Sequence, residues 1–210
     1  MGIKTTETDK KKWGAYCWYL LHLIAYKSQT DSDIDRQIKF FSRLYRIIPC
    51  PKCKDHYKEW LTKNPLVRDS NKHLIMPPRQ SKTPDLVRWT IACHNNVNTM
   101  NNKPNLTENQ VHGLFWVKAL DGPDVLLVNH MYIVKLLQVL GNYHEEMGTL
   151  DTFKDFIYDL RKIMPCDECQ RELKKNKDGN IEDYLDIISK CQAQNALKSR
   201  IGAQEQKYKV

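Results

Sequence analysis

Two stretches of this chain, more than a hundred residues apart, carry the same pattern, and that duplication limits the folds open to it. Phe40, Leu44, Ile47, Pro49, Cys50 and Cys53 align at a constant offset with Phe156, Leu160, Ile163, Pro165, Cys166 and Cys169. The local strings are FFSRLYRIIPCPKC and FIYDLRKIMPCDEC. Further on, DLVRWTIAC, ending at Cys93, lies opposite DYLDIISKC, ending at Cys191. The first match alone is within reach of chance. Both, in the same order, argue for a duplicated unit in which a Cys-x-x-Cys pair is followed by a third cysteine on a later helix.

The units read as helical. Ile34, Ile38, Phe41, Leu44 and Ile48 recur at steps of three and four, which places them on one helix face. Asp31, Asp33 and Asp35 crowd the start of that helix, where its dipole favours carboxylates. Pro49 ends it, and Pro51 suits the first turn of the next helix, which runs to about Lys63. The proline-rich stretch 64–82 reads as a loop. Thr83-Pro84-Asp85 then starts a helix that continues to about Met100. Trp13 to Lys27 forms the first helix, Val111 to Leu120 suggests a short one, and no convincing alternating strand is present. The expected division is a flexible tail over 1–11, a first domain over 12–105, a helical repeat over 106–195 and a polar tail over 196–210.

Composition narrows the function. Apolar residues at 41% can supply a core, and charge at 28% is ordinary. The net charge of +8 comes from scattered lysines, apart from Lys10 to Lys12, and no nucleic-acid motif accompanies it. It reads as a solvated basic surface without a nucleic-acid partner. Residues 1–12 lack the apolar run of a secretory leader. The most apolar later stretch, Val125 to Leu140, is broken by Asn129, His130, Lys135 and Gln138, so no membrane insertion is expected. In an unexported protein, Cys-x-x-Cys pairs among seven cysteines read as redox or metal sites before structural staples.

Cys50-Pro51-Lys52-Cys53 stands at a helix start, where the partial positive charge stabilises a thiolate, and Lys52 and Lys54 act in the same direction. The pair suits thiol–disulfide exchange. A zinc site or two ordinary buried cysteines are the alternatives at this point. Three further motifs surround it. Trp13-Gly14 is followed by Trp18 and His22, four apart on one face. His94 and Asn95 are followed by Val97 and Asn98, after Trp89 and Cys93. Lys103-Pro104 comes just past that helix. Aromatic faces, amides and a lysine suit a stacked adenine, polar ring edges and a pyrophosphate.

Taken in order, these motifs resemble the Erv/ALR family of FAD-linked sulfhydryl oxidases over about residues 13–104, half the chain. The compact Asn- and Lys-rich sequence is most similar to the viral members, from large DNA viruses. The resemblance implies an all-α fold: a four-helix bundle with a short fifth helix, binding FAD at one end and usually forming a homodimer. It implies that Cys53 lies against the flavin while Cys50 exchanges with thiol-containing substrates, protein or small dithiol, the electrons passing to O2 to give hydrogen peroxide. It implies FAD contacts from Trp13, Gly14, Trp18 and His22, from His94, Asn95, Val97 and Asn98, and from Lys103. Trp89 and His56 join them as further candidates. A viral member would act in the cytoplasm of the infected cell, with the virion a second location.

The chain also departs from the family. Many members carry a shuttle cysteine pair on a flexible tail, and the amino-terminal stretch here has no cysteine. Cys166 and Cys169 are candidates for a shuttle or for a structural disulfide. Their position inside a repeat and the acidic Asp167 and Glu168 favour the structural role. Opposite Trp18 and His22 the repeat has Val134 and Gln138, and opposite His94-Asn95 it has Gln192-Ala193. The second unit therefore reads as a degenerate copy without its own FAD, with Cys17, Cys93 and Cys191 as packing residues. The rival reading is a catalytically inactive scaffold of the same fold.

Overall fold

The computed structural model describes residues 7–26, 31–68, 85–113, 123–164, 166–176 and 179–191. Helices dominate, and no extended strand forms among the described residues. The first half contains α1 (Glu7–Tyr26), α2 (Asp31–Arg43), α3 (Pro51–Lys63), α4 (Asp85–Met100) and a helical stretch over 108–113, α5. The second half contains α6 (Pro123–Glu146), α7 (Leu150–Leu160), α8 (Asp167–Lys175) and a helix over 181–191, α9. The expected all-α class holds. Helix α1 starts at Glu7, so it takes in part of the stretch expected to be a tail. The helix-start residues Thr83 and Pro84, most of the loop over 64–82, residues 114–120 and the tail after 191 lie outside the described residues.

The apolar period of α2 continues past its end. The chain tightens into a single 3-10 turn, Leu44–Arg46, with Ile47 N–H donating to Leu44 O at 3.1 Å. The residue before a proline disfavours the α conformation, and Pro49 follows two residues later. The turn re-aims the chain so that Cys50, in extended conformation (φ −97°, ψ 114°), caps α3, and Pro51 occupies its first turn.

The halves pack through matching helices. Helix α1 lies along α6, and α2 lies against α7. Three contacts identify the geometry. The ring of Phe40 meets that of Phe156 at 5.4 Å, Tyr16 meets Tyr132 at 5.6 Å, and Arg43 pairs with Asp159 at 3.2 Å. In each pair a residue touches its own counterpart in the repeat. A residue meeting its counterpart is the mark of a two-fold, self-matching interface, here built within one chain. Leu20, Leu23, Ile24, Phe41, Ile133, Leu136, Leu140, Phe153 and Leu160 are all buried, and they belong to one core that runs through both halves.

Candidate functional site

Three helices of the first half converge on a cavity of about 740 Å³. That lies within the roughly 300–1,000 Å³ of ligand sites. Helix α1 supplies Trp13, Gly14, Trp18 and His22. Helix α3 supplies Cys53, His56, Tyr57 and Trp60, and α4 supplies His94, Val97 and Asn98, each set spaced at one helix face. Lys103 and Leu106 close the cavity from the loop after α4.

The walls are aromatic and flat. The indole of Trp18 stacks on the His94 ring at 4.3 Å with planes 5° apart. His22 Nε2 and His94 Nδ1 lie 3.1 Å apart and share a hydrogen bond. Burial, reinforced by the neighbouring His94, holds the His22 pKa down to about 3. Burial, with Lys103 nearby, holds that of His94 down to about 4. Both rings are therefore neutral at physiological pH, so they offer hydrogen bonds without charge.

Lys103 owes its place to the end of α4. Asn102 adopts a left-handed conformation (φ 54°), Asn102 N–H reaches Thr99 O at 3.1 Å, and Lys103 N–H reaches Asn98 O at 2.8 Å. This pair of bonds is a Schellman cap. Two amides then pin the loop beyond it. Asn95 donates to Leu106 O and accepts from Leu106 N–H, each at 2.8 Å, and Asn98 donates to Pro104 O at 3.2 Å.

The expected residues Trp13, Gly14, Trp18, His22, His56, His94, Val97, Asn98 and Lys103 thus line one cavity. Trp89 and Asn95 do not. Trp89 is buried between Phe41, Tyr57 and Trp60, with Nε1–H donating to Asn64 O at 3.0 Å. Asn95 spends its side chain on Leu106. Trp60 was not expected, yet it lines the cavity; its place four residues after His56 on the same helix face was the available signal. Cys17 and Cys93 also reach the cavity wall, both buried. Burial pushes the Cys17 thiol up to about 12 and, with Cys17 beside it, the Cys93 thiol well above its ordinary range. Both shifts disfavour the thiolate form.

Cys50 and Cys53 are joined as a disulfide, with Cα atoms 5.2 Å apart. The Cys53 backbone N–H donates to Cys50 Sγ at 3.2 Å. The two cysteines face different spaces. Cys53 lines the large cavity. Cys50 lines a separate cleft of about 220 Å³ with Trp13, Pro49, Val139, Asn142, Tyr143 and Glu146.

The second pair repeats the backbone and not the setting. Cys166 caps α8 at φ −97°, ψ 117°, and its Sγ accepts from Cys169 N–H at 3.4 Å. Cys166, Cys169 and Cys191 are all buried. The Cys166 side chain, then burial, drive the Cys169 thiol far above its ordinary range. Among the described residues no group of three or more His, Cys, Asp or Glu side chains is arranged to hold a metal ion.

The cavity suits a flavin dinucleotide on its own features. A Cβ built on Gly14 meets nothing within 4 Å, so this helical glycine leaves space beside the cavity. Trp60 Nε1–H is shielded from solvent and has no acceptor among the described residues, which leaves a donor for a bound group. Stacked rings, neutral imidazoles, amides and Lys103 match a molecule with flat rings, polar ring edges and a pyrophosphate.

Comparison with known proteins agrees. The model of the Erv1 / Alr family matches residues 15–116. A probable FAD-linked sulfhydryl oxidase of Acanthamoeba polyphaga mimivirus is 33% identical over 100 residues, covering 46% of this chain and 64% of that protein. An FAD-linked sulfhydryl oxidase of African swine fever virus, from a tick isolate, is 33% identical over 94 residues, covering 43% of this chain and 69% of that protein. The chain thus spans about two thirds of the length of these relatives. No solved structure matches. On these matches the chain belongs to the Erv1/Alr family.

Proposed function

We propose that this chain is an FAD-dependent thiol oxidase that makes disulfides in dithiol substrates through Cys50 and Cys53. The observation that carries this reading is the split exposure of the pair: Cys50 lines one cleft and Cys53 the other cavity. A substrate thiolate attacks Cys50 Sγ, forming a mixed disulfide and breaking the bond to Cys53. The electron pair leaves on Cys53, which sits in the first turn of α3, where the helix terminus stabilises a thiolate. A second substrate thiol then attacks the sulfur joined to Cys50, releasing the oxidised substrate. Cys50 leaves as the thiolate; bound FAD would supply the two-electron redox chemistry that re-forms the Cys50–Cys53 disulfide, with O2 as the final acceptor giving hydrogen peroxide. Trp18 and Trp60 would form its walls, His22 and His94 would meet polar ring edges without adding charge, and Lys103 would meet phosphate.

Cys166 and Cys169 we assign a structural role. Their burial and the raised thiol of Cys169 oppose rapid exchange with a substrate. The pairing that the resemblance implies between two chains we assign to the two halves of one. No described helix is long and apolar enough to cross a membrane. With viral relatives, we place the enzyme in the infected cell.

The test is a visible spectrum of the purified protein before and after anaerobic dithiothreitol. A flavin spectrum that bleaches with the dithiol and recovers in air supports the reading. A protein that stays colourless when incubated with FAD overturns it and favours an inactive scaffold.

A further inference from the structure

We propose that the cleft beside Cys50 is the docking site for a cysteine-bearing peptide segment, and that helix α6 of the second half selects the substrate there. The inference rests on the oxidase reading and adds a role for α6, which lies beyond the residues matched by the family model. An incoming thiolate must reach Cys50, and Cys50 opens onto this cleft. The first half supplies one side, Trp13 and Pro49. The second supplies the other, Val139, Asn142, Tyr143 and Glu146. Those four recur along α6 at three-, one- and three-residue steps, so one helix edge makes the whole wall.

The wall is fixed where it matters. His144, between Tyr143 and Glu146, is buried. Its Nε2 meets Ile47 O at 3.2 Å and its Nδ1 meets Thr149 Oγ1 at 2.7 Å. Ile47 leads directly into Pro49 and Cys50. The end of α6 is thereby tied to the segment that presents the reactive sulfur, as a preorganised site requires.

The chemistry of the wall names the ligand class. At about 220 Å³ the cleft is smaller than the roughly 300 Å³ at which whole small-molecule sites begin, so it suits part of a larger chain. Trp13, Tyr143 and Val139 offer apolar contact for a side chain next to the cysteine. The Glu146 carboxylate, exposed, accepts hydrogen bonds and disfavours acidic neighbours. The expected substrate is a dithiol peptide with a large apolar residue beside the attacking cysteine and a neutral or basic one beyond it.

The experiment compares kcat/KM for such a peptide with kcat/KM for dithiothreitol, in the flavin-loaded full chain. Two variants are used: Glu146→Trp, which plugs the cleft from an exposed position, and Tyr143→Ala, which removes a wall. The flavin spectrum reports that each is folded and loaded. The ratio of peptide to dithiothreitol should fall about ten-fold in each, the size of a lost pocket contact. An unchanged ratio in both variants, with the wild type turning over both substrates, overturns the docking role alone. A flavin-loaded wild type that dithiothreitol never bleaches overturns the oxidase reading and this inference with it.

Discussion

His22 and His94 share a hydrogen bond inside the cavity and are held neutral by burial, at pKa values of about 3 and 4. In the unfolded chain both titrate near 6.5. Between those limits the unfolded chain takes up protons that the folded chain refuses, so stability rises with pH across the window. Acidification from pH 7 towards 4 should therefore lower the melting temperature, and His22→Asn should flatten the decline. A melting temperature independent of pH between 7 and 4.5 would contradict the neutral pair. Two more outcomes belong to single residues. Cys53→Ala should keep the flavin spectrum and lose turnover, because no thiolate remains on the cavity side; retained turnover would remove Cys53 from the path. Gly14→Leu should fold, since open space surrounds the position, yet bind FAD at least ten-fold more weakly by equilibrium titration, the order of a side chain filling a ligand's space. Residues that recur at helical spacing, Trp18, His22, His94 and Asn98 among them, do come together on one cavity. Trp89 lies outside that cavity, because an indole on the same helix serves a core as readily as a cofactor, and its packing against Phe41 and Trp60 is not legible from spacing.

Helix ends, more than helix middles, position this site. Helix α4 closes with a Schellman cap at Asn102, and α6 closes with another at Gly148 (φ 65°), where Gly148 N–H reaches Glu145 O and Thr149 N–H reaches His144 O. The first cap aims Lys103 at the cavity; the second holds the end of α6 beside Cys50. Left-handed backbone costs a residue with a Cβ about 1–2 kcal/mol, and Asn and Gly are the residues that tolerate it. Asn102→Gly should thus preserve stability and FAD affinity, while Asn102→Val should lose about 1–2 kcal/mol in chemical denaturation and weaken FAD binding together. If Asn102→Val destabilised the fold without weakening FAD binding, Lys103 would not depend on the cap. The helices themselves were readable, because Pro49, Pro51 and the apolar period mark their limits. The tightening of Leu44–Arg46 into a 3-10 turn was not, since the apolar spacing of Leu44 and Ile48 fits a continuing α-helix equally well. Neither were the caps, because Asn102 is one of several asparagines whose left-handed φ only the fold reveals.

At the scale of the whole molecule, the two halves meet through residues that the internal alignment pairs, alike at the apolar contacts and opposite at the charged one. The apolar contacts stayed alike: Phe40 meets Phe156 and Tyr16 meets Tyr132. The charged position did not. Arg43 has Asp159 as its counterpart and its partner, and Asp155, another residue of α7, lies close enough to act on Arg46. Two identical copies meeting about the same axis would place Arg43 against Arg43, or Asp159 against Asp159, where like charges repel. At this charged position the two halves are complementary, which favours contact between them over contact with a second copy. The internal match is legible in the sequence, but the interface is not, because an alignment shows which residues correspond and not that corresponding residues touch. Two results are expected. Light scattering should give a mass near 24.8 kDa, that of a single chain. Reversing Arg43 to Asp should destabilise the fold by about 1 kcal/mol or more, since Asp159 is nearly buried and would face a like charge. The double exchange Arg43→Asp with Asp159→Arg should recover much of that loss. A double variant as unstable as the sum of its single changes would mean that the pair is not coupled. A dimer mass with both halves intact would mean that a different face mediates association, leaving the internal two-fold in place.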